Sequence, residues 1–534
     1  MAALACAIGL TVKYGSTYRP VVEPVREIEE IWALEDAREE SEEPLVTRLF
    51  YNGIPMAYDA ENNVFYGSLG LENGAQWPEI KLTASEETAK GLSLCFADDY
   101  GFDDCDAAIR EGYSYQIFAY TDTAYSYAEV VFTGLPLVNV TADQTIERED
   151  VPAQIEIALA AEGLQTNGRI HKRGGASILN DKVGYKLEFT RTTDGKKKIY
   201  REIPGMGTDS QVILLPMNAL DTTMMRDRLS WALYARLTQR DEPFSARQTQ
   251  YCELFLNGEY RGVYLMLEPF SVRQEVAKAG EERLTTDSVY RTAVISLSHG
   301  RPCMEDPYSA ATGFELYYPM DGEPDFSPLA DYFALLGETD DAAFMRRAAQ
   351  IIDLDSALRY DVVLQLFGLT DNVINNMYTW AQNSRGHTRY RFDFWDLDVS
   401  WGLKRDEIGE MHENWVFFPL VDRLLRADEE GGVRKRYGEI YREVREKAFD
   451  TETVEALIGQ YAHELNDSGA MARNAERWET ENYAADGYEL VAFAAERIAL
   501  LDEPVRAMSA GEKIDLRFLE KTNYDDKGTP LSEE

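Results

Sequence analysis

The feature that most constrains the fold is a change of hydrophobic periodicity on either side of Glu268-Pro269. Before this point, many short segments alternate apolar and polar residues, which is the pattern of a half-buried β-strand. After about residue 405 the sequence becomes helical and charged, as in 433–449 and 489–505. This division predicts an α+β protein, with most strands in the N-terminal part and most helices in the C-terminal part.

Two hairpins are predicted within this pattern. In the first, the alternating runs YCELFL (251–256) and EYRGVYLML (259–267) are separated by Asn257-Gly258. An Asn-Gly pair between such runs favours a tight two-residue turn. In the second, MYTWAQ and YRFDFW flank the turn-rich NSRGHT, so we expect two paired strands within 377–395.

The order of these patterns suggests four segments in the chain of 534 residues. We expect a leader and an acidic helix or stalk over 1–44, a small β-sandwich over 45–135, a two-lobed domain over 136–505 and a tail over 506–534. The apolar start, 1–12, is either the remnant of an export signal or an ordinary buried segment. No transmembrane segment is predicted, because a span needs about 20 apolar residues.

The charge balance restricts the possible partners. There are 54 Lys and Arg against 94 Asp and Glu, a net charge of −40. Nucleic acid and anionic membrane surfaces repel such a protein, so neither is expected as a partner. The charge is compatible with a basic protein partner, and also with a simple role in solubility. Part of it lies in the acidic segment 23–43, where Val25, Ile28 and Trp32 form one helical stripe.

Cysteine and histidine usage excludes two classes of protein. The five cysteines include no CxxC pair, and the five histidines are scattered without an HExxH motif. A disulfide scaffold and a zinc enzyme are therefore not expected.

The segment 353–402 carries the strongest chemical signal. DLDSALRYDVVLQLFG predicts a helix that Asp353, Asp355 or Ser356 can cap and that Gly368 ends. Asp371 follows, Asn376 comes five residues later, and the second hairpin leads to Asp396 and Asp398. Protein kinases use an Asp, an Asn five residues on and a later Asp to accept the hydroxyl proton and to hold Mg²⁺. The alternative is structural, with Asp371 capping a turn and WDLD closing a strand.

The upstream sequence supplies further parts in a compatible order. Gly174 lies in a glycine-bearing loop between two strand-like runs, Lys182 and Lys186 flank Tyr185 at the next strand, and Glu268 follows the first hairpin. Arg173 either contacts a phosphate or pairs with an acid, and Glu268 either pairs with a nucleotide-binding lysine or closes the hairpin. The chain has no G-x-G-x-x-G, V-A-I-K, H-R-D or D-F-G motif, so it is not a standard protein kinase.

The sequence resembles the CotH family, which is named for spore coat protein H and comprises atypical secreted kinases. The resemblance covers about 150–505 and depends on these segments: KRGGAS (172–177), KVGYKLEF (182–189), LLPMNALDTTMMRDRL (214–229), LFLNGEYRGVYLMLE (254–268), DNVINNMYTW (371–380), FWDLDVSWG (394–402) and RNAERW (473–478). It implies an atypical protein-kinase-like fold of two lobes. Family members often have the β-domain that we expect at 45–135.

The resemblance also implies an activity. A CotH-like kinase transfers the γ-phosphate of ATP to Ser or Thr of a protein, with Mg²⁺ or Mn²⁺ as the cation. Asp371 would be the catalytic residue, and the implied metal ligands are Asn376, Asp396 and Asp398. The implied nucleotide contacts are Arg173, Gly174, Ser177, Lys182, Lys186 and Glu268. The family often has two adjacent lysines where this chain has Lys182 and Lys186, so either lysine can be the phosphate contact.

Several functional questions stay open at the level of the sequence. The expected acceptor is a basic, Ser-containing protein segment, and the expected location is extracellular, at a cell surface or in a spore coat. A catalytically inactive CotH-like module for surface assembly or adhesion is the alternative. Phosphoryl and nucleotidyl transfer would use the same Mg²⁺–triphosphate site, so the sequence does not separate them.

Overall fold

The computed structural model describes residues 22–23, 28–71, 82–85, 91–97, 105–174, 176–217, 221–292, 313–319, 323–384, 386–403 and 415–513. The apolar start 1–12 and most of the predicted tail lie outside these residues. The chain divides into two compact units. The β-rich unit comprises Met1–Asn218, Thr249–Pro269 and Tyr461–Ala485, and the helical unit comprises Ala219–Gln248, Phe270–Gln460 and Asp486–Glu534.

The secondary structure confirms the predicted α+β class. The strands are β1 Val22–Glu23, β2 Glu39–Glu40, β3 Leu49–Tyr51, β4 Ile54–Pro55, β5 Ala57–Asp59, β6 Val64–Ser68, β7 Leu82–Ala84, β8 Ser93–Phe96, β9 Ser114–Tyr120, β10 Ala124–Thr133, β11 Leu137–Thr141, β12 Val151–Leu159, β13 Glu162–Arg173, β14 Gly184–Thr190, β15 Arg201–Ile203, β16 Gly207–Asp209, β17 Gln211–Leu215, β18 Thr249–Leu256, β19 Glu259–Leu267, β20 Ser288–Thr292, β21 Phe314–Tyr318, β22 Met377–Ser384 and β23 His387–Phe394. The helices are α1 Ile28–Asp36, α2 Cys105–Arg110, α3 Arg226–Ala235, α4 Val272–Lys278, α5 Ala330–Leu336, α6 Asp341–Ile351, α7 Leu354–Phe367, α8 Asp371–Ile374, α9 Pro419–Ala427, α10 Gly432–Lys447, α11 Thr451–Asp467, α12 Ala470–Trp478 and α13 Tyr488–Ser509. No helix among the described residues is long and apolar enough to cross a membrane.

The β-rich unit begins with two sheets that share one apolar core. A seven-stranded sheet has the order β1-β8-β9-β10-β6-β5 with β2 beside β10, and a smaller sheet has the order β4-β3-β7. Leu49 and Leu82 from the small sheet pack in the same cluster as Phe65, Ile117 and Val130 from the large one. Alternating strand residues therefore supply this core from both sides, which agrees with the period-two pattern of the sequence.

The acidic helix α1 forms as predicted, and its apolar stripe is largely exposed to solvent. Ile28 and Trp32 are 43% and 56% exposed, whereas Ile31 is fully buried against Cys95 and Phe118. Val25 lies outside the described residues. A helix of only nine residues buries side chains along one narrow stripe. Its packing against neighbouring elements determines which residues form that stripe.

The rest of the β-rich unit is a closed barrel with the strand order β11-β12-β13-β14-β17-β19-β18. Tyr185, Leu187 and Phe189 of β14 belong to its apolar core, so the alternate residues Lys186 and Glu188 lie on the outer face. The predicted Asn-Gly hairpin is confirmed, since β18 and β19 pair across Asn257 (φ 53°) and Gly258 (φ 78°). Positive φ at both central residues is the requirement of a type I′ turn.

The helical unit contains the second predicted hairpin, which is confirmed as β22 and β23 in a sheet of order β21-β20-β22-β23. The predicted helix before it is α7. The Asp353 carboxylate accepts a hydrogen bond from Ser356 N at 3.2 Å, so Asp353 is the capping residue among the three candidates. Gly368 ends the helix with a left-handed backbone (φ 66°), as the sequence predicts.

A buried acid on α7 gives a prediction on pH dependence. Asp361 is fully buried between Tyr437, whose hydroxyl donates to it at 2.8 Å, and Gln365. Burial raises the pKa of Asp361 to about 8. The folded protein therefore keeps a proton that the unfolded chain releases above pH ~4, and the free energy of unfolding falls as the pH rises towards 8, by up to about 1.4 kcal/mol per pH unit.

Asp361→Asn should remove this contribution, because an amide does not titrate. We expect the variant to lose less stability than the wild type between pH 5 and pH 8, measured by urea unfolding at fixed salt. Parallel stability curves for the two proteins would show that Asp361 is already ionised at pH 5.

Candidate active site

The candidate catalytic turn follows the end of α7. Asp371 is the first residue of the one-turn helix α8 and is only 3% exposed. Asn376 Nδ2 donates a hydrogen bond to Asp371 Oδ2 at 2.8 Å. The two residues, which are five positions apart in the sequence, are therefore in direct side-chain contact in the structure. It orients both groups before any ligand binds.

The open end of the β22–β23 hairpin brings the third group to this turn. Asn376 precedes β22, and Trp395-Asp396 follows β23. Trp395 N donates to Asn376 O at 3.0 Å, and Asn372 Nδ2 donates to Trp395 O at 2.7 Å. These bonds tie the α8 turn, Asn376 and the start of the WDLD segment together. Asp396 and Asp398 are both half-buried.

Two candidate metal ligands have an unusual backbone conformation. Asn376 and Asp396 both have φ of 58°, in the left-handed region. Asn and Asp enter this region more readily than other residues, but at a cost that other contacts must offset. Such backbone strain concentrates at functional sites. Here the two strained residues lie just outside the two strands of one hairpin. Their backbone conformation turns the chain away from the strand direction.

The groups present fit a magnesium ion that is shared with a nucleotide. The bond from Asn376 Nδ2 to Asp371 uses the nitrogen end of the amide, which leaves its oxygen end to serve as a ligand. Asn372 Oδ1 is buried nearby, and none of the described residues donates a hydrogen bond to it. The described residues contain no group of three His, Cys, Asp or Glu side chains that could hold a metal by themselves. Mg²⁺ in phosphoryl transfer uses one or two protein oxygens together with phosphate oxygens and water, which agrees with this small set.

The segment after Asp398 is held rigidly within the helical unit. Trp401 packs in one cluster with Phe367 and Phe449, with ring centroids 5.5 and 5.3 Å away. Its indole nitrogen donates to Ser230 Oγ on α3 at 2.9 Å. Arg226, also on α3, donates to Ser400 O at 3.1 Å and forms ion pairs with Asp221 and Glu489. These contacts fix the WDLD segment from its C-terminal side.

The predicted nucleotide loop connects β13 and β14. Arg173 is the last residue of β13, and Ser177 lies in a 3₁₀ helix, Ala176–Leu179. Gly174 has φ of 128°, and a Cβ placed on it would lie 2.3 Å from Ser177 Oγ. Only glycine fits there, so the structure brings Arg173, Gly174 and Ser177 together in one tight loop.

Gly174→Ala should therefore destabilise this loop. We expect a loss of about 1–3 kcal/mol in the free energy of unfolding, because alanine does not adopt this φ and its methyl group would displace Ser177. Gly112→Ala is the matched control, since Gly112 has φ of 66° and open space around its Cβ position. Urea unfolding of both variants decides the point. Equal losses would mean that the contact with Ser177 has no effect.

The two candidate lysines have different surroundings. Lys182 Nζ donates to Val263 O at 2.6 Å and to Asn474 Oδ1 at 2.9 Å, and it lies 5.0 Å from the Tyr264 ring. Burial lowers the pKa of Lys182 to about 7, and the Arg261 guanidinium also lowers it. The structure thus connects this lysine to β19 and α12.

Lys186 lies on the outer face of the barrel, opposite His171 in the register of β13 and β14. Burial lowers its pKa, and so do the nearby charges of Lys198 and Arg173, while Glu188 and Asp150 oppose them. Lys186 and Arg173 are therefore neighbours in a cluster of mixed charge. Glu268 is half-buried directly after β19.

The segment RNAERW (473–478) is bound to the β18–β19 hairpin by side-chain hydrogen bonds. Arg473 makes two bonds to the fully buried Glu253 carboxylate, at 2.9 and 2.8 Å. Asn474 Oδ1 accepts from Val263 N at 3.0 Å as well as from Lys182. Trp478 Nε1 donates to Arg261 O at 3.1 Å. These contacts give the motif a structural role within the β-rich unit.

Sequence reasoning missed two polar residues around the catalytic turn. Asn372 has no signal of its own within DNVINN, yet its side chain donates a hydrogen bond to the WDLD backbone. Asp393 is only 7% exposed, and burial raises its pKa to about 7. Its signal in the sequence is an acid that interrupts the aromatic run YRFDF. A charged residue between aromatic residues of a predicted strand is uncommon, so this pattern identifies Asp393 as an unusual residue.

An acid, an amide five residues later and another acid after a hairpin are the ordered groups of a metal-dependent phosphoryl transferase. The family described as CotH kinase protein matches residues 170–501, more than half of the chain. The chain therefore belongs to the CotH kinase protein family, which confirms the resemblance seen in its motifs. Membership implies a kinase-like fold, the use of ATP and a protein substrate. Comparison with curated proteins finds no match.

Proposed function

We propose that this protein is an active CotH-type kinase that transfers the γ-phosphate of ATP to Ser or Thr of a surface protein. The observation that carries the proposal is the hydrogen-bonded pair Asp371–Asn376 at the hairpin end that leads into Asp396. A purely structural turn would need an acid or an amide to cap it, but not two strained ligand-type residues beside a buried acid. A non-catalytic assembly module has no use for this arrangement.

Each group has a distinct part in the proposed reaction. The Asp371 carboxylate accepts the proton of the acceptor hydroxyl as the oxygen forms its bond to the γ-phosphorus, and the bond from phosphorus to the bridging oxygen of ADP breaks. Asn376 holds Asp371 in position and offers its amide oxygen to the cation. Asp396 is the principal metal ligand, and Asp398 is a second candidate. When bound, Mg²⁺ neutralises negative charge that develops on the phosphates.

For the nucleotide we propose Lys186 and Arg173 as the phosphate contacts, with Gly174 and Ser177 shaping the loop. Two neighbouring cations attract a polyanion, whereas the Lys182 ammonium is already bound by Val263 O and Asn474. Lys182 then supports the hairpin, and Glu268 stays a candidate partner for either lysine. Lys186→Ala should weaken Mg²⁺–ATP binding more than Lys182→Met does, when both variants are compared at equal folded fraction.

The domain organisation and the location remain proposals. The shared core of the two N-terminal sheets supports a β-sandwich over 45–135, and the matched residues support a two-lobed kinase-like domain within 136–505. An extracellular, cell-surface or spore-coat location stays a prediction from the resemblance.

The net charge of −40 leads to a prediction about the acceptor. We expect Ser peptides rich in Lys and Arg to be phosphorylated faster than matched peptides rich in Asp and Glu, by roughly 10-fold or more at low salt. The advantage should shrink as ionic strength rises, because salt screens charges beyond about 10 Å at 0.1 M. Initial rates for the two peptides at low and high salt test this. Equal rates at low salt would refute a basic acceptor.

The experiment that tests the function is incubation of the purified chain with ATP and Mg²⁺, followed by mass analysis of the protein and of added acceptor peptides. A gain of one or more phosphates that requires the cation supports the proposal. A gain of a nucleotide would identify nucleotidyl transfer, and no gain on any acceptor would favour the assembly module.

A further inference from the structure

The helical unit contains a cavity of about 420 Å³ that has no part in the proposed phosphoryl transfer. It lies between the end of α3, the start of α7 and β23, which is the edge strand of its sheet. Its walls combine polar side chains with aromatic ones, which include Phe244, Tyr360, Tyr378 and Trp380. Tyr378 and Trp380 lie opposite Asp393 and Arg391 in the hairpin register, so these four residues share one face of the sheet.

Asp393 places a buried carboxyl group in this aromatic cavity. Its Oδ1 accepts from the Tyr234 hydroxyl at 2.9 Å and from Phe394 N at 2.7 Å. Its Oδ2 receives no hydrogen bond from the described residues. Burial raises the pKa of Asp393, and the Arg247 guanidinium, which pairs with Glu275, opposes this shift. The Asp393 side chain lines an accessible cavity, so this oxygen can accept a hydrogen bond from a ligand.

The other charges of the lining are mostly compensated. Ion pairs join Arg391 to Asp353 at 3.6 Å, Asp355 to Arg436 at 2.7 Å and Arg359 to Glu443 at 3.4 Å. Glu242 also lines the cavity, and it forms no ion pair with the described residues. The uncompensated groups of the cavity are therefore two carboxyls, Asp393 and Glu242.

We propose that this cavity binds an organic ammonium group carried on a short alkyl chain. The Asp393 carboxylate would accept hydrogen bonds from the ammonium, and the aromatic side chains of the lining would attract its charge. The alkyl chain would lie against the aromatic walls. A free alkylamine and the side chain of a lysine residue both present this chemistry.

The position of the cavity relates it to the catalytic turn. Tyr360 lines the cavity, and its hydroxyl donates to Asn372 O at 2.7 Å, next to Asp371. The proposal nevertheless concerns binding alone. It does not depend on phosphoryl transfer, so a binding measurement can fail or succeed independently of the proposed function.

Calorimetric titration of the full chain tests the proposal with two probes, 1,4-diaminobutane and Nα-acetyl-lysine amide, and with 1,4-butanediol as the uncharged control. We expect saturable binding of at least one amine and none of the diol. The probe that binds shows whether the site takes a free amine or a lysine side chain. Asp393→Asn should weaken binding by at least about tenfold, because it removes the charged acceptor. Asp361→Asn, which changes an equally buried acid outside the cavity lining, should bind like the wild type.

Two further variants protect the test against misfolding of Asp393→Asn. Glu242→Gln changes an exposed residue and should weaken binding several-fold, and Phe244→Leu should do so by removing one aromatic wall. The proposal is overturned if the wild type binds neither amine at millimolar concentration, if the diol binds as well as the amines, or if all folded variants bind with one affinity.

Discussion

Asp396→Ala is expected to lose both Mg²⁺-dependent nucleotide binding and phosphoryl transfer, with the transfer rate falling by at least about 10³-fold. The cation contributes several kcal/mol of charge stabilisation in such reactions, and each ~1.4 kcal/mol corresponds to a factor of ten in rate. Asp371→Asn should behave differently. Its amide oxygen can still accept the bond from Asn376, but it cannot take the proton of the acceptor hydroxyl, so the variant should bind Mg²⁺–ATP normally while transfer falls by roughly 10²–10⁴-fold.

The comparison needs a control for the loss of a buried acid. Asp361→Asn provides one, because Asp361 is fully buried in α7 of the same unit and, among the described residues, bonds Tyr437 and Gln365 alone. It should retain transfer. If Asp396→Ala keeps full activity, Asp396 is not the metal ligand. If Asp371→Asn alone loses nucleotide binding, the two acids have exchanged roles.

Arg473→Met is expected to destabilise the β-rich unit by about 3–5 kcal/mol. The substitution would leave the Glu253 carboxylate buried without its bidentate partner, and an unpaired buried charge carries a cost of this size. Tyr260, which donates to Glu253 at 2.6 Å, cannot neutralise the charge. Chemical denaturation measures the loss.

Two companion variants separate this effect from simple truncation. Arg473→Met combined with Glu253→Gln should recover much of the lost stability, because the buried charge is then removed along with its partner. Arg506→Met removes an exposed ion pair with Glu503 and should cost no more than about 1 kcal/mol. Similar losses for Arg473→Met and Arg506→Met would show that the buried pair has no special weight.

The local elements of this fold could be predicted because their determinants lie close together in the chain. The Asn257-Gly258 turn needs only two residues with positive φ, and α7 needs only a cap at Asp353 and a stop at Gly368. The Asp371–Asn376 contact was predictable for the same reason, since both ends lie within five residues. In each case all the residues that determine the feature lie within one short segment of the sequence.

The remaining features depend on contacts between distant segments. Lys182 bonds Asn474, which is 292 positions away, so no local pattern shows that its ammonium is already engaged. Ile31 is buried instead of Ile28 or Trp32 because of where α1 meets Cys95 and Phe118. The cavity around Asp393 likewise exists only after separate segments pack together. These features are determined by tertiary packing, so they cannot be predicted from hydrophobic periodicity.

The central claim is that Asp371, Asn376 and Asp396 form a site for phosphoryl transfer from ATP. The most direct measurement compares the transfer of radiolabel to protein from ATP labelled at the γ-phosphorus with transfer from ATP labelled at the α-phosphorus, with and without Mg²⁺. The account predicts Mg²⁺-dependent labelling of Ser or Thr from γ-labelled ATP alone, which is lost in Asp371→Asn. Labelling from α-labelled ATP, or γ-labelling that persists in Asp371→Asn, would contradict it.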